Sequence, residues 1–243
     1  MSRRVVGVLG GMGPEATILL QQKVLATVQA NDDSDHLPLL IDMNPQVPSR
    51  IAHLIEGNGT DPGPALAQMA QRLEAAGATA LAMPCNTAHH YALAIRGAVS
   101  IPFLSMIDLS VAKAAETLKP GDAIGFLASP AVQSAGVFEA ALSAHGLRAA
   151  WPADGPRMLS AIRSIKAEGP TEAACRILNA AAQELAEQGA AMLFAACSEF
   201  SLMAEQLDVG LPVLDTVDVL AAAIHKHIQR AVGPPKALRQ ICA

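Results

Sequence analysis

The sequence predicts an α/β fold of two pseudo-symmetric lobes, each a parallel sheet flanked by helices, with the active site in the cleft between them. Three observations predict it. Short apolar runs alternate with longer Ala- and Leu-rich stretches along the 243 residues, the pattern of βαβ units in an open parallel sheet. The composition is 51% apolar but only 3% aromatic, which suits helices on parallel strands better than an aromatic-rich β-sandwich. The third observation is an internal repeat, in which landmarks of the first half recur in the same order in the second.

Taken in order, the apolar runs place strands near 4–10, 37–43, 79–84, 101–105, 123–128, 191–196 and 211–214, with a weaker one near 147–151. The stretches between them place helices at 14–30, 62–76, 87–97, 108–118, 134–145, 170–188 and 216–231. The repeat then aligns the halves. Gly77-Ala78 begins eight positions before Cys85, and Gly189-Ala190 begins eight before Cys197. At the same offset of 112, Gln71 matches Gln183, Leu73 matches Leu185, and Leu81 matches Leu193. Upstream, Val6-Gly7-Val8-Leu9 answers Ile124-Gly125-Phe126-Leu127; downstream, Ile101-Pro102-Phe103-Leu104 answers Leu211-Pro212-Val213-Leu214. The division expected from this is a first lobe of residues 1–106 plus 213–243 and a second of residues 107–212.

Charge and cysteine usage narrow the function. A net charge of −5 lacks the clustered basic face of a nucleic-acid binder. Residues 76–95 carry no Asp, Glu, Lys or Arg, but Pro84, Asn86 and His89-His90 make them a poor membrane span. Four cysteines at 85, 175, 197 and 242 form no CxxC pair and no disulfide framework, so a reducing, cytoplasmic location is expected. Ser2-Arg3-Arg4 before an apolar run imitates a signal-peptide start, yet the run breaks at Gly10-Gly11 and reads as a first buried strand.

If the repeat is a duplication, Cys85 and Cys197 each end an equivalent strand and open the following loop. Open α/β sheets bind ligands outside the carboxyl ends of their strands, so the two thiols would face each other across one cleft. Inverting a stereocentre by deprotonation needs a base on one face and an acid on the other. A thiolate serves as the first, and a thiol with a pKa of roughly 8.5 serves as the second. The loops add Asn86-Thr87 and Ser198-Glu199, each opening a predicted helix whose free N–H groups suit a carboxylate. A lone strand-end cysteine is more often a small buried apolar residue; the pairing favours function. Cys175, inside a predicted helix, and Cys242, in the tail, read as structural.

Other residues keep two readings. Gly11-Met12-Gly13-Pro14-Glu15-Ala16 formally fits a dinucleotide fingerprint, but Pro14 has no N–H for a pyrophosphate, so a turn that lines the cleft is preferred. Arg50 is either a solvated loop cation or a bidentate grip on a carboxylate. Lys166 reads first as a helix-surface charge. Glu199 either orients an ammonium group and tunes the neighbouring thiol, or is an ordinary helix-start acid. His89, four residues after Cys85, reads as a support for the cysteine loop or a helix-packing residue, because no other Cys or His stands at ligand spacing for a metal.

With these stretches placed, the chain resembles the aspartate/glutamate racemase family, and its aspartate racemase branch most. The resemblance rests on Gly7-Val8-Leu9-Gly10-Gly11-Met12-Gly13-Pro14, Asn44-Pro45-Gln46-Val47-Pro48-Ser49-Arg50, Met83-Pro84-Cys85-Asn86-Thr87-Ala88-His89, Cys197-Ser198-Glu199 and Leu211-Pro212-Val213-Leu214-Asp215. It implies racemisation of an acidic amino acid, aspartate first and glutamate second, without pyridoxal phosphate or another cofactor. It implies Cys85 and Cys197 as the acid–base pair and Asn86 and Thr87 at the α-carboxylate. Arg50 and Lys166 would hold the side-chain carboxylate; Met12, Ser198 and Glu199 complete the expected substrate contacts. A homodimer is expected from the same resemblance. Two departures stand out: Ser198 where relatives carry Thr, and Ala128-Ser129-Pro130-Ala131-Val132 where they carry a threonine-rich loop. The alternatives are a related cysteine-dependent decarboxylase or cis–trans isomerase, and a non-catalytic two-lobe ligand-binding protein.

Overall fold

A computed structural model describes residues 4–229. In the first lobe β1 (Val6–Gly10), α1 (Pro14–Ala26), β2 (Leu39–Met43), α2 (Gly63–Ala75), β3 (Ala80–Ala82), α3 (Ala92–Ala98) and β4 (Phe103–Leu104) follow one another, and α4 (Met106–Ala114) leads out. The second lobe holds β5 (Ala123–Leu127), α5 (Pro130–Ser134), α6 (Glu139–Ala144), β6 (Arg148–Ala150), α7 (Gly155–Glu168), α8 (Glu172–Glu187), β7 (Ala190–Ala195), α9 (Ser198–Ser201) and β8 (Val213–Asp215). Helix α10 (Thr216–Gln229) closes the described chain. The strands form two parallel sheets of identical topology, ordered β2-β1-β3-β4 and β6-β5-β7-β8.

The repeat has a packing cause. Gly7 pairs with Leu81 across β1 and β3, and Gly125 pairs with Leu193 across β5 and β7. A Cβ on Gly7 would lie 3.0 Å from atoms of Leu73, Ala78 and Leu81; one on Gly125 would lie 2.7–3.2 Å from Leu185, Ala190 and Leu193. These are the residues matched at offset 112. Each glycine lets a helix seat its leucine directly on the sheet. Gly77 and Gly189 end those helices at φ +99° and +83°. The strands after Pro102 and Pro212 join alike, through Leu81 N–H to Pro102 O at 2.8 Å and Leu193 N–H to Pro212 O at 2.9 Å. Gln71 and Gln183 are both exposed, and nothing in the structure explains their match.

A methyl group at Gly125 should therefore overpack the second lobe. Gly125→Ala is expected to cost about 1–3 kcal/mol. Gly97, in α3 with open space around its Cβ position, should gain about 0.5–1 kcal/mol as alanine. Urea midpoints of the two variants against the parent test both signs.

Each sheet has a core on either face, and two helices cross over. Ile107, Val111 and Ala114 of α4 pack with Ile124, Phe126 and Phe194 of the second lobe. Val217, Leu220 and Ile224 of α10 pack with Val6, Val8 and Leu20 of the first. The expected boundary at 213 needs one correction: Val213–Asp215 pairs with β7, so β8 belongs to the second sheet. Helix α10, next in the chain, does lie on the first lobe; residues 230–243 fall outside the described residues, Cys242 among them.

Two further corrections concern helices. The stretch 134–145 is broken between α5 and α6, where Gly136 takes φ +59°. Helix α7 was not among the helices placed above, although Lys166 was read on a helix surface. Its buried residues Met158, Ala161, Ile162 and Ile165 follow the amphipathic i, i+3, i+4, i+7 spacing, and Asp154 caps it by accepting from Arg157 N–H at 2.8 Å. The weak strand at 147–151 is real; it is an edge strand whose Arg148 and Ala149 are exposed. Among the described residues no helix is long and apolar enough to cross a membrane, and no group of His, Cys, Asp and Glu could hold a metal ion.

Candidate active site

Strand alternation points both cysteines toward equivalent places. Cys85 shares a core face with Leu81 and Met83, and Cys197 shares one with Leu193. They lie just beyond the carboxyl ends of β3 and β7, and both are over nine-tenths buried. One cleft is lined by Met12, Arg50, Cys85, Asn86 and Thr87 from the first lobe and by Lys166, Cys197, Ser198 and Glu199 from the second. The structure thus brings together all nine residues singled out from the sequence. Ser49, Ile51, Ser129, Ile162 and Ala196 also line it and were not anticipated.

The glycine loop after β1 serves a close approach. Gly11 sits at φ +90°, and a Cβ there would fall 2.4 Å from the Asn44 backbone. The loop therefore lies flat against the end of β2. Gly11 N–H donates to Thr17 Oγ1 at 2.9 Å, and Asn44 N–H donates to Gly10 O at 3.3 Å. Met12 O is left to accept from Arg50 Nη2 at 3.3 Å. Asp42, the acid nearest the end of the second strand, is gripped by Arg72 Nε and Nη2 at 3.0 and 2.7 Å and is not free to hold a ribose.

Arg50 is a built-in cation rather than a solvated one. Its Nη1 donates to Pro48 O at 3.1 Å and Val47 O at 3.5 Å, while its Nε is buried without a partner. Asn86 complements it: its amide donates to Thr216 Oγ1 at 3.1 Å, and its Oδ1 is buried and unpaired. A free donor and a free acceptor at one cleft are what a zwitterionic ligand satisfies, since buried polar groups are costly to leave unpaired.

Across the cleft the charges are already paired. Cys197 Sγ donates to Glu199 Oε2 at 2.9 Å, and Ser198 Oγ donates to the same oxygen at 3.3 Å. Lys166 Nζ meets Glu199 Oε1 at 3.2 Å. Burial pushes the Cys197 thiol well above its ordinary range, and the charge and side-chain hydrogen bond of Glu199 push the same way; the Glu199 backbone N–H and Lys166 oppose them. Cys197 therefore rests as the thiol. Lys166 is on the cleft side of α7 because it follows Ile162 by four residues, so the surface-charge reading of this residue falls. Ser129 keeps a hydroxyl in the departing loop, but that hydroxyl caps α5 by accepting from Ala131 N–H at 3.2 Å.

His89 supports the Cys85 loop. Its Nδ1 lies 2.8 Å from Cys85 O, and its Nε2 accepts from Met106 N–H at 3.1 Å, which fixes the neutral tautomer with the proton on Nδ1. Burial is the main reason its pKa is lowered to about 4. Above pH 6.5 the ring is neutral folded or unfolded, so its contribution is intact. Between about 6.5 and 4 the unfolded chain takes a proton that the folded protein refuses, and stability should fall by on the order of 3 kcal/mol. His89→Gln, which cannot titrate, should show a shallower fall in urea midpoint over that window.

The fold is that of isomerases that racemise amino acids without pyridoxal phosphate. The family follows from comparison with known proteins: residues 9–224 match the Asp/Glu/Hydantoin racemase family, and the chain belongs to it. It is 26% identical over 225 residues to the broad specificity amino-acid racemase RacX of Bacillus subtilis (strain 168), covering 89% of this chain and 95% of that one. Among solved structures it resembles Picrophilus torridus aspartate racemase, with 28% identity, a TM-score of 0.81, and 93% and 94% of the two chains covered. The glutamate racemase of Francisella tularensis subsp. tularensis SCHU S4, solved with D-glutamate, shares the fold at 14% identity, a TM-score of 0.63, and 94% and 81% coverage.

Proposed function

We propose that the protein racemises an acidic amino acid, aspartate foremost and glutamate second, by a two-base proton transfer at Cα between Cys85 and Cys197, with no cofactor. The observation that carries this reading is the placement of the two cysteines, one from each lobe, at equivalent strand ends on a single cleft. With Cys197 resting as the thiol, a thiolate at Cys85 removes the α-hydrogen of one enantiomer and Cys197 protonates the opposite face. That turnover leaves Cys197 as thiolate and Cys85 as thiol, the form that accepts the other enantiomer. Asn86 and Thr87 hold the α-carboxylate and ammonium end, and Arg50 holds the side-chain carboxylate.

Of the basic and acidic side chains that line the cleft, Lys166 and Glu199 pair with each other, which leaves Arg50 as the cation for a substrate carboxylate. A second reading, a broader substrate range like that named for the Bacillus subtilis relative, is favoured by one observation: Lys166 is already paired with Glu199. Incubation with each enantiomer of aspartate, glutamate and alanine in deuterated water tests both. The proposal expects α-deuterium and the opposite enantiomer from the acidic substrates. Release of carbon dioxide, or no exchange at all, would overturn it; equal turnover of alanine would favour the broader range.

A further inference from the structure

Residues 89 and 201 stand at the same offset of 112 as the cysteines, four positions after each, and they differ in chemistry. His89 joins Cys85 O to Met106 N–H, the first residue of α4. On the other side Ser201 N–H donates to Cys197 O at 3.0 Å. The Ser201 hydroxyl, 3.4 Å from that same carbonyl, gives its one hydrogen to Asp215 Oδ1 at 2.7 Å. Asp215 Oδ1 also accepts from Val217 N–H at 2.8 Å, in the first turn of α10, and Lys23 Nζ pairs with Asp215 Oδ2 at 3.1 Å. Each cysteine carbonyl is thus tied to the start of the helix that comes after its own sheet's last strand. Those are the two helices that cross to pack on the opposite lobe.

We infer that His89 and the Ser201–Asp215 pair are positioning residues: two pseudo-equivalent clamps that fasten each cysteine loop to a crossing helix and so fix each thiol relative to the lobe opposite it. This rests on the two-cysteine reading above. The chemistry needs such a device. A racemase must hold two proton-transfer groups on opposite faces of one carbon, and a displacement of about 1 Å at either is enough to cost on the order of a hundredfold in rate. The cysteines belong to separate sheets, so their separation is set by how the lobes dock. The crossing helices are the elements that feel that docking. All the side chains of both clamps are buried apart from Lys23, and none of the clamp side chains lines the cleft.

The test uses primary isotope effects on kcat/KM with α-deuterated L- and D-aspartate. The two enantiomers have equal free energy, so kcat/KM itself must fall equally in both directions in any variant. The isotope effects need not, because each enantiomer's α-hydrogen is removed on one face only. A displaced Cys85 makes its own transfer limiting, which raises the effect for the enantiomer it deprotonates and lowers it for the other. His89→Leu should lower kcat about tenfold or more with KM within about twofold, and should split the two isotope effects. Ser201→Ala should split them in the opposite sense. His89→Gln, whose amide offers the same donor and acceptor, should restore the parental ratio. Should His89→Leu fail to fold, Ser201→Ala decides alone. Parental isotope effects in folded variants, or the same hand affected by both, would overturn the inference. Full racemase activity in folded Cys85→Ala or Cys197→Ala would instead remove the two-cysteine reading and this inference with it.

Discussion

Cys85→Ala and Cys197→Ala are each expected to lower racemisation by at least about a hundredfold, the smaller end of what a positioned acid or base contributes. One face of the substrate loses its proton partner in each. Neither change should unfold the protein. Both positions sit in loops at strand ends within apolar surroundings, and losing one sulfur there should cost about 0.5–3 kcal/mol. The two variants should fail differently. Each keeps one thiol and should still exchange the α-hydrogen of a single enantiomer, the two choosing opposite hands. In Cys85→Ala the surviving base is Cys197, which burial and Glu199 hold protonated. Its exchange should therefore be slow at neutral pH and quicken as pH rises. NMR of α-hydrogen exchange, with both enantiomers and both variants, measures all of this. Full racemase activity in either folded variant would falsify the assignment.

How much of this could be read from the sequence depends on which forces act locally. The duplication was legible because its cause is steric and leaves small residues behind. Gly7 and Gly125 must accept a leucine from the helix that leads into the neighbouring strand, so Leu73, Ala78 and Leu81 recur at one offset as Leu185, Ala190 and Leu193. The placement of Cys85 and Cys197 came from it, since strand ends in parallel sheets carry the site. Helix α7 was missed for a different reason: its apolar spacing is regular, but three of its residues are Arg or Lys and it lies between two stronger signals. The clamps were legible only in part: His89 reads from the sequence as a support for the cysteine loop, but neither its partner nor the Ser201–Asp215 pair does. His89 and Ser201 share an offset but no chemistry, and their partners Met106 and Asp215 are remote in the chain. Likewise the unpaired Arg50 Nε and Asn86 Oδ1 arise only when loops from several strands meet.

Arg50→Ala is expected to raise KM for aspartate strongly. A charge-assisted hydrogen bond to a carboxylate is worth about 1.5–3 kcal/mol, or roughly tenfold to a hundredfold in affinity. The structure adds a reason why the loss is not replaced. Lys166, the other cation of the cleft, is 3.2 Å from Glu199, so recruiting it would strip a counterion from a carboxylate that is itself largely buried. Part of the effect will come from the loop, because Arg50 also ties Met12, Val47 and Pro48 together through their carbonyls. Alanine as substrate separates the two contributions. It has no side-chain carboxylate to lose, so any fall in its kcat/KM in Arg50→Ala measures the loop alone. The proposal expects that fall to be several-fold smaller than the one for aspartate, and glutamate to behave as aspartate does. Equal losses for alanine and aspartate would make Arg50 a brace of the glycine loop and leave the side-chain carboxylate to another group.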